Sequence, residues 1–517
     1  MVTGVAISYD ISWHGIEKPP HPSRVSMLTV ATQCRFARRR ALLELGRNYP
    51  TRRTIMASSM ADLAPRQKNE GDISAVFTSL RPSDPATAFP PRFAELKRTL
   101  WNEALVQSWK EVLDALETET ARIAEQGEKL IPQIPIDSIQ KGLSAEEKAD
   151  IRAAGCVVVK GAVPQEEAIS WKQDIQSYVA SNPGQIKGFP ADNIQVFELY
   201  NTRSQMRART HPNTLQTQRA LLSLWNDNSG EAALDTPISY FDRLRIRFPG
   251  DSKFALGPHI DGGSIERWED PAYRTCFRSI LSGAWKEHNP YDAAPRIHAV
   301  QDLYNAPSQC SIFRPWQGWT AMSSTGPGEG TLRVLPMLSL ATAYWILRPF
   351  FRARDPASSS LKWEDWNELD LEGTAFAGCG LGTGLELNEK SHPHLRLDKT
   401  MVSMPRVEPG DQVYWHCDMI HAVEGYHGGK TDSSVLYIPA APLTAKNAQY
   451  LRGQRSNFLA GLPAPDFPGG PGESNCVGRG AIEDVHPGGR AAVGLEKFEG
   501  DGKEAGLVAE ANRILGF

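Results

Sequence analysis

Two segments far apart in the chain decide the fold, Gly257-Pro-His-Ile-Asp261 and Gly410-Asp-Gln-Val-Tyr-Trp-His-Cys-Asp-Met-Ile-His421. If the first segment is a strand, His259 and Asp261 project from the same face with their Cα atoms roughly 7 Å apart. A third nitrogen from a neighbouring strand would complete two histidines and one carboxylate around a metal ion. This ligand set is typical of non-haem Fe(II) oxygenases, which keep three coordination positions open.

The second segment supports a metal site more strongly than the first segment does alone. His-x-acid pairs arise easily by chance, and this chain has another at His416 and Asp418. However, the Pro409-Gly-Asp411 turn, the aromatic strand after it and His421 are typical of the strand that brings the last ligand into a double-stranded β-helix. We therefore expect an α+β fold with a double-stranded β-helix (jelly roll) core, an N-terminal helical layer and large loop insertions.

Composition excludes several classes of protein. The chain has 517 residues, a net charge of −4 and no basic stretch typical of a nucleic-acid surface outside its N-terminal segment. Its seven cysteines form no Cys-x-x-Cys motif, which favours a reducing compartment and a cytoplasmic location. No apolar run approaches the roughly 20 residues of a membrane span. The best candidate, Leu338 to Leu347, is predicted to be a buried helix.

Three regions are predicted along the chain. Residues 1–70 are rich in arginine and resemble a mitochondrial presequence, although a disordered basic tail or a start codon placed too early would give the same composition. Residues 71–460 form the predicted oxygenase-like domain with flanking helices. Residues 461–517 form a Gly- and Pro-rich C-terminal extension with a short final helix. Within the domain, residues 264–318 and 353–400 are predicted insertions that shape the substrate entrance.

Hydrophobic periodicity adds two expectations about local structure. Apolar residues recur at helical spacing from Arg92 to about Glu125, which predicts one long amphipathic helix. Trp319-Thr-Ala-Met322 and Leu332-Arg-Val-Leu335 are predicted to be paired strands around the glycine-rich turn Gly326–Gly330.

These same strands carry a resemblance to a known family. Trp319-Thr-Ala-Met322, Gly330-Thr-Leu-Arg-Val-Leu-Pro336 and the stretch from Gly410 to His421 resemble the phytanoyl-CoA hydroxylase family of iron- and 2-oxoglutarate-dependent oxygenases. Over residues 90 to 460 or so, the chain is most similar to the YbiU-like branch of the clavaminate synthase-like oxygenases.

The resemblance implies a set of functional residues and cofactors. His259, Asp261 and His421 match the metal ligands at the catalytic centre, and Trp319 matches the aromatic residue that lines the 2-oxoglutarate site. His416 is expected to support the ligands or to pack in the core. The implied cofactors are Fe(II) and the co-substrate 2-oxoglutarate. The implied partners are dioxygen and a small molecule to be hydroxylated or otherwise oxidised. Charge and hydropathy lead us to expect no nucleic acid and no membrane as partners.

One departure from the family pattern concerns the co-substrate. The family places an arginine about ten residues after the distal histidine, where this chain has Lys430, Thr431 and Asp432. Because a buried dicarboxylate needs a cationic partner, the candidate anchors are Lys430, Arg245 and Arg333. Arg245 lies on a stretch of alternating residues, which puts Arg243, Arg245 and Arg247 on one strand face. These arginines would either face an anion or form salt bridges on a solvated surface.

Two other functions are also compatible with the sequence. The missing arginine would also fit a catalytically inactive double-stranded β-helix that binds a small anion. A cupin-type metal isomerase would use a similar fold and a similar ligand set.

Overall fold

A computed structural model describes residues 68–71, 73–80, 89–253 and 255–517. Nearly all of the basic N-terminal segment lies outside the described residues, and its role as a tail or targeting segment stays a prediction. The fold is a mixture of helices and several β-sheets, in agreement with the mixed class predicted from the sequence.

The helices lie before the first strand, in many of the connections between strands and at the C-terminal end of the described residues. In chain order they are α1 (Arg92–Leu100), α2 (Ala104–Gln126), α3 (Ile136–Lys141), α4 (Ala145–Ala154), α5 (Gln165–Ser181), α6 (Arg203–Thr210), α7 (Pro212–Leu222), α8 (Glu266–Glu269), α9 (Pro271–Thr275), α10 (Arg278–Leu281), α11 (Ala294–Ile297), α12 (Leu338–Leu347), α13 (Leu397–Thr400), α14 (Ala445–Ala460) and α15 (Ala505–Leu515).

The strands are short, and most belong to one of two larger sheets. In chain order they are β1 (Gln133–Pro135), β2 (Cys156–Lys160), β3 (Gly188–Phe189), β4 (Val196–Phe197), β5 (Ala233–Ile238), β6 (Leu244–Arg247), β7 (His259–Ile260), β8 (Trp316–Ala321), β9 (Leu332–Val334), β10 (Phe351–Arg352), β11 (Glu368–Leu369), β12 (Leu385–Glu386), β13 (Val402–Ser403), β14 (Gln412–His416), β15 (His421–Val423), β16 (Ser433–Tyr437) and β17 (Ala441–Leu443).

The two larger sheets exchange strands along the chain. The eight-stranded sheet has the order β1-β2-β14-β8-β16-β6-β4-β3, and the five-stranded sheet has the order β12-β7-β15-β9-β13. The chain therefore passes from the larger sheet to the smaller at β6–β7, β8–β9 and β14–β15, and returns at β7–β8, β13–β14 and β15–β16. Consecutive strands that alternate between two sheets are a feature of two-sheet β architectures.

This alternation corrects one prediction about strand pairing. β8 and β9 are both strands, as predicted, but they do not pair with each other. β8 pairs with β14 and β16, whereas β9 pairs with β13 and β15. The glycine-rich turn between them carries the chain from one sheet to the other. The short, glycine-rich connection between the two strands is also typical of a hairpin, because a hairpin and a change of sheet both need a sharp turn.

The predicted long N-terminal helix is also interrupted. α1 ends at Leu100 because Trp101 adopts an extended conformation (ψ 140°), and α2 starts at Ala104. Asn102 lies in the break and donates a hydrogen bond of 2.8 Å to the carbonyl of Leu281. Periodicity missed the break because apolar residues continue at helical spacing on both sides of it.

Helices α2 and α12 pack together over the main hydrophobic core. The Trp109 ring of α2 stacks on Phe351 at 5.0 Å and on Tyr344 at 5.3 Å, and its indole N–H donates to the carbonyl of Trp366. α12 is a buried helix, as its sequence predicts. Across the described part of the chain, no helix combines the length and the apolar character that a membrane crossing requires.

The C-terminal residues pack against α14 through a second hydrophobic cluster. The final helix, α15, contributes Val508, Ala511 and Leu515, which share this cluster with Leu451 and Phe458 of α14. Loops and short 3₁₀ turns connect the two helices, and the helical end of the extension agrees with the prediction.

Candidate metal centre

Three side chains from the five-stranded sheet meet at one point. His259 lies on β7, Asp261 follows that strand directly, and His421 opens β15, where it pairs in register with His259. The carboxylate oxygens of Asp261 lie 3.7 Å from His259 Nε2 and 3.7 Å from His421 Nε2. All three ligand atoms lie within 4.8 Å of one another, which leaves a position between them for one ion.

The backbone contacts of both imidazoles favour the tautomer that leaves Nε2 free to bind a metal. Nδ1 of His259 is 2.7 Å from the carbonyl of Gly257, and Nδ1 of His421 is 3.0 Å from the carbonyl of Met419. Because a carbonyl oxygen can only accept, each Nδ1 carries the proton. In the neutral ring, Nε2 then presents its lone pair toward Asp261, and the backbone oxygen fixes the ring orientation.

The electrostatic environment favours neutral His259 and ionised Asp261. Burial and the neighbouring His421 lower the pKa of His259 to about 4. Burial raises the pKa of Asp261, but the interactions with His421 and His259 outweigh it and hold this pKa below its usual range. A neutral imidazole and an ionised carboxylate are the forms that coordinate a metal.

Aromatic rings hold the two histidines in place. The Phe77 ring meets His259 edge-on at 4.8 Å, and the Trp415 ring lies 5.2 Å from His421. Phe77 belongs to a segment of two 3₁₀ turns, Ile73–Ala75 and Thr78–Leu80. This segment is tied to the sheet at β12, because the Thr78 amide donates to Glu386 at 2.6 Å.

The three side chains open into a cavity of about 130 Å³ between the two larger sheets. One wall is apolar and includes Ile73, Val76, Phe77 and Leu256. The charged residues of the lining, apart from the histidines, are Asp242, Arg243, Arg245, Asp261 and Arg314. Both predicted insertions contribute to the lining, for example through Gln309 and Gly384.

Arg245 is the predicted anchor that the structure brings to the cavity. Its side chain is buried, and its Nε has no hydrogen-bond partner among the described residues. The nearest acceptors to its Nη2 are Gly330 O and Ser433 Oγ, both at the long distance of 3.5 Å. Burial lowers the pKa of Arg245. The strand is buried and not solvated, although the ion pairs of the alternative do form at Arg243 with Asp242 and at Arg247 with Asp251.

The other two predicted anchors do not reach the cavity. On β9, Leu332 faces the cavity, so that Arg333 points to the opposite side, where its guanidinium donates to the carbonyl of Met401 at 2.7 Å. Lys430 is exposed and is not part of the lining. Trp319, on β8, lines the cavity, and its role beside 2-oxoglutarate stays a prediction.

Several polar residues of the cavity were not predicted as site residues from the sequence, among them Arg243, Arg314 and Tyr437. Arg243 stood out only as part of the alternating strand, and Arg314 and Tyr437 carried no motif at all. Arg314 precedes β8 in an irregular segment. The alternating stretch was the sequence signal for Arg245, and its pairing with Val435 across β6 and β16 is visible only in the structure.

A second group of side chains that could ligate a metal, His416, Cys417 and Asp418, has both imidazole nitrogens and one carboxylate oxygen engaged by other groups. His416 Nε2 is 3.1 Å from the carbonyl of Pro290, and its Nδ1 accepts from the amide of Asp418 at 3.0 Å. Asp418 forms a buried ion pair with Arg296. Because both ring nitrogens of His416 are occupied and the ring stacks on Trp225 at 4.8 Å, this residue packs in the core.

Fold and site together define a mixed α/β protein with a centre of two buried histidines and one half-buried carboxylate beside an arginine-rich cavity. The chain belongs to the Gig2-like family, whose pattern matches residues 87–495. It is 32% identical over 409 residues to the Escherichia coli K12 protein YbiU, a match that covers 75% of this chain and 92% of YbiU.

Two solved structures show the same overall fold. The GlcNAc Inducible Gene 2 protein of Candida albicans matches with a TM-score of 0.75 and 32% identity, covering 84% of this chain and 96% of that protein. A Salmonella typhimurium LT2 protein, named as a proposed oxidoreductase, matches with a TM-score of 0.66 and 31% identity, covering 80% of this chain and 99% of that protein.

Proposed function

We propose that this protein is a non-haem Fe(II)- and 2-oxoglutarate-dependent dioxygenase that oxidises a small molecule. The observation that carries the proposal is the convergence of His259, Asp261 and His421, with both Nε2 atoms 3.7 Å from the oxygens of one carboxylate. Two imidazoles and one carboxylate on one side of an ion are the ligand set of this enzyme class. The Salmonella relative named as a proposed oxidoreductase fits the same class.

The arrangement of the sheets supports a double-stranded β-helix core. In the proposed jelly roll, strands β6 to β9 and β13 to β16 alternate between the two sheets, and the cavity lies between them. β7 and β15 then supply the paired ligands and the distal histidine from neighbouring positions in one sheet. Ligands on adjacent strands are held more rigidly than ligands on loops.

Arg245 is the proposed anchor for the far carboxylate of 2-oxoglutarate. Its cross-strand neighbour, Val435, lies on β16, in the stretch after the distal histidine where related oxygenases carry their arginine. A guanidinium on the adjacent strand can therefore reach the same space. Arg245 also lacks a carboxylate partner among the described residues, and a buried guanidinium without one favours an anionic ligand.

The protein's own residues would bind, orient and enclose the reactants. When bound, Fe(II) and 2-oxoglutarate supply dioxygen activation, in which 2-oxoglutarate, dioxygen and the substrate C–H bond become succinate, carbon dioxide and a hydroxylated product. Trp319 lines the side of the cavity contributed by β8. Phe77 covers His259 and limits access of water to the ligands.

Release of succinate from 2-oxoglutarate tests the proposal. Purified protein loaded anaerobically with Fe(II) should consume 2-oxoglutarate and dioxygen and release succinate, slowly without a substrate and faster with one. A cupin-type isomerase would bind iron without forming succinate. An inactive anion-binding protein would bind 2-oxoglutarate without turnover, and either result would contradict the proposal.

We also propose a reducing, cytoplasmic compartment. The six cysteines among the described residues are all free: Cys156, Cys276, Cys310, Cys379, Cys417 and Cys476. Unpaired cysteines are typical of proteins kept in a reducing environment. Cell fractionation with an antibody against the native protein tests this, and recovery in mitochondria would instead support the presequence alternative.

A further inference from the structure

Two arginines of the cavity share a single carboxylate. Arg243 Nε lies 3.2 Å from one oxygen of Asp242, and Arg314 Nη1 lies 3.6 Å from the other. All three side chains are at most 13% exposed and line the cavity that contains the candidate metal ligands. Since one carboxylate neutralises only one guanidinium, this trio carries one uncompensated positive charge in a buried place.

The charge balance of the whole cavity gives the same result. Its described lining contains three arginines and two aspartates, and the two histidines are neutral in the ligating form. The proposed Fe(II) ion and the 2-oxoglutarate dianion cancel each other. One positive charge therefore remains after both are bound, and it must be met by an anion or by water.

The two guanidiniums are held in fixed orientations. Arg243 lies 4.9 Å above the Phe467 ring and Arg314 lies 5.2 Å above the Tyr240 ring. Their other polar contacts are neutral and long, at 3.5 Å from Arg243 Nη1 to Ser308 Oγ and 3.3 Å from Arg314 Nη2 to Gln317 Oε1. Stacked guanidiniums with weakly used donors are suited to bidentate recognition of a carboxylate.

We propose that the primary substrate is a small organic acid whose carboxylate binds Arg314 and Arg243, while its apolar part contacts the wall formed by Ile73, Val76, Phe77 and Leu256. This inference rests on the proposed function, because it assigns Arg245 to the co-substrate. It divides the arginines of one cavity between two anions, each with its own anchor.

Anomalous diffraction from bromide-soaked crystals tests the second anion site directly. The protein is prepared with Mn(II) in place of Fe(II) and with N-oxalylglycine, an unreactive analogue of 2-oxoglutarate. We expect the far carboxylate of N-oxalylglycine at Arg245 and a bromide ion within hydrogen-bond distance of both Arg314 and Arg243. A further soak in acetate should displace the bromide.

Variants separate this site from the co-substrate site. Arg314→Gln should lose the bromide and retain N-oxalylglycine, and Arg243→Gln provides the same test if the first variant does not fold. Arg314→Lys, which keeps the charge, should retain the bromide. Arg333→Gln is the matched control, since Arg333 is a half-buried arginine outside the cavity, and it should retain both ligands.

The outcomes distinguish failure of this inference from failure of the proposed function. Bromide at surface positions only, or the far carboxylate of N-oxalylglycine on Arg314, would overturn the substrate site while leaving the oxygenase assignment intact. Bromide at Arg314 without any bound Mn(II) would contradict the oxygenase assignment and keep the anion site. Displacement by phosphate but not by acetate would overturn the assignment of a carboxylate substrate.

Discussion

His259 and His421 are direct partners across two antiparallel strands, and their ring centroids lie 4.1 Å apart. The two residues are distant in sequence, and only the pairing of β7 with β15 brings their Nε2 atoms to the same carboxylate. Cross-strand partners on one sheet face are among the closest side-chain pairs that a β-sheet can form. The candidate metal centre is therefore a consequence of strand register.

Loss of a ligand should abolish iron binding. We expect His421→Gln and Asp261→Asn each to lower Fe(II) affinity by at least roughly a hundredfold, because even residues that only support ligands contribute about 10–100-fold. Iron content after anaerobic loading and gel filtration measures this. His416→Gln is the control and should retain iron, since His416 bonds to Pro290 and stacks on Trp225. If His416→Gln lost iron and His421→Gln retained it, the third metal ligand would be His416 and not His421.

Removal of the guanidinium at position 245 should weaken co-substrate binding. Arg245→Gln should raise the KM for 2-oxoglutarate by at least about tenfold, equivalent to ~1.4 kcal/mol. Arg333→Gln and Lys430→Gln should leave this KM nearly unchanged because neither residue lines the cavity. Initial rates of succinate formation at varied 2-oxoglutarate provide the measurement. An unchanged KM in Arg245→Gln would refute the anchor.

The buried pair of Arg296 and Asp418 should stabilise the fold without taking part in the chemistry. Asp418→Ala leaves a buried guanidinium without its carboxylate and should lower the free energy of unfolding by about 3–5 kcal/mol. Urea denaturation followed by tryptophan fluorescence measures the change. A Tm and midpoint equal to those of the unmodified protein would show that the pair is dispensable.

The same pair predicts a sensitivity to acid. Burial raises the pKa of Asp418, but Arg296 and His416 outweigh it, and the folded-state pKa lies below the ordinary value of 3.8. Stability from this carboxylate is therefore present above that ordinary value and is lost as the pH falls toward the folded-state pKa. Denaturation midpoints between pH 6 and pH 3 should fall less steeply in Asp418→Asn, and identical slopes would contradict the prediction.

Glu266 predicts the opposite dependence on pH. Burial raises its pKa to about 7, although the Ser264 amide and Gln309 donate hydrogen bonds to it. Because the folded-state pKa is raised, stability is greatest below the unfolded value of 4.5 and declines as the pH rises toward 7. The loss is at most about 3 kcal/mol. Glu266→Gln should weaken the dependence of the free energy of unfolding on pH between 4.5 and 7. An unchanged dependence would contradict the raised pKa of Glu266.

The local features of the fold could be predicted from residues close together in the chain. The alternation of a strand places His259 and Asp261 on one face, and a run of apolar residues predicts the buried helix Leu338–Leu347. The turn before β14 and the position of His421 also followed from residue order. These features depend on neighbours within a few residues, so that steric and hydrophobic preferences of the chain are enough to specify them.

Which distant residues share the cavity could not be predicted from the sequence, because long-range packing brings them together. This packing placed β8 and β9 in different sheets, turned Arg333 away, and brought Arg314 beside Asp242 and the candidate metal ligands. The physical reason is that strand pairing and side-chain burial are set by free energies summed over the whole core. A single arginine in a loop carries no local signal of the carboxylate or the ring that it will meet after folding.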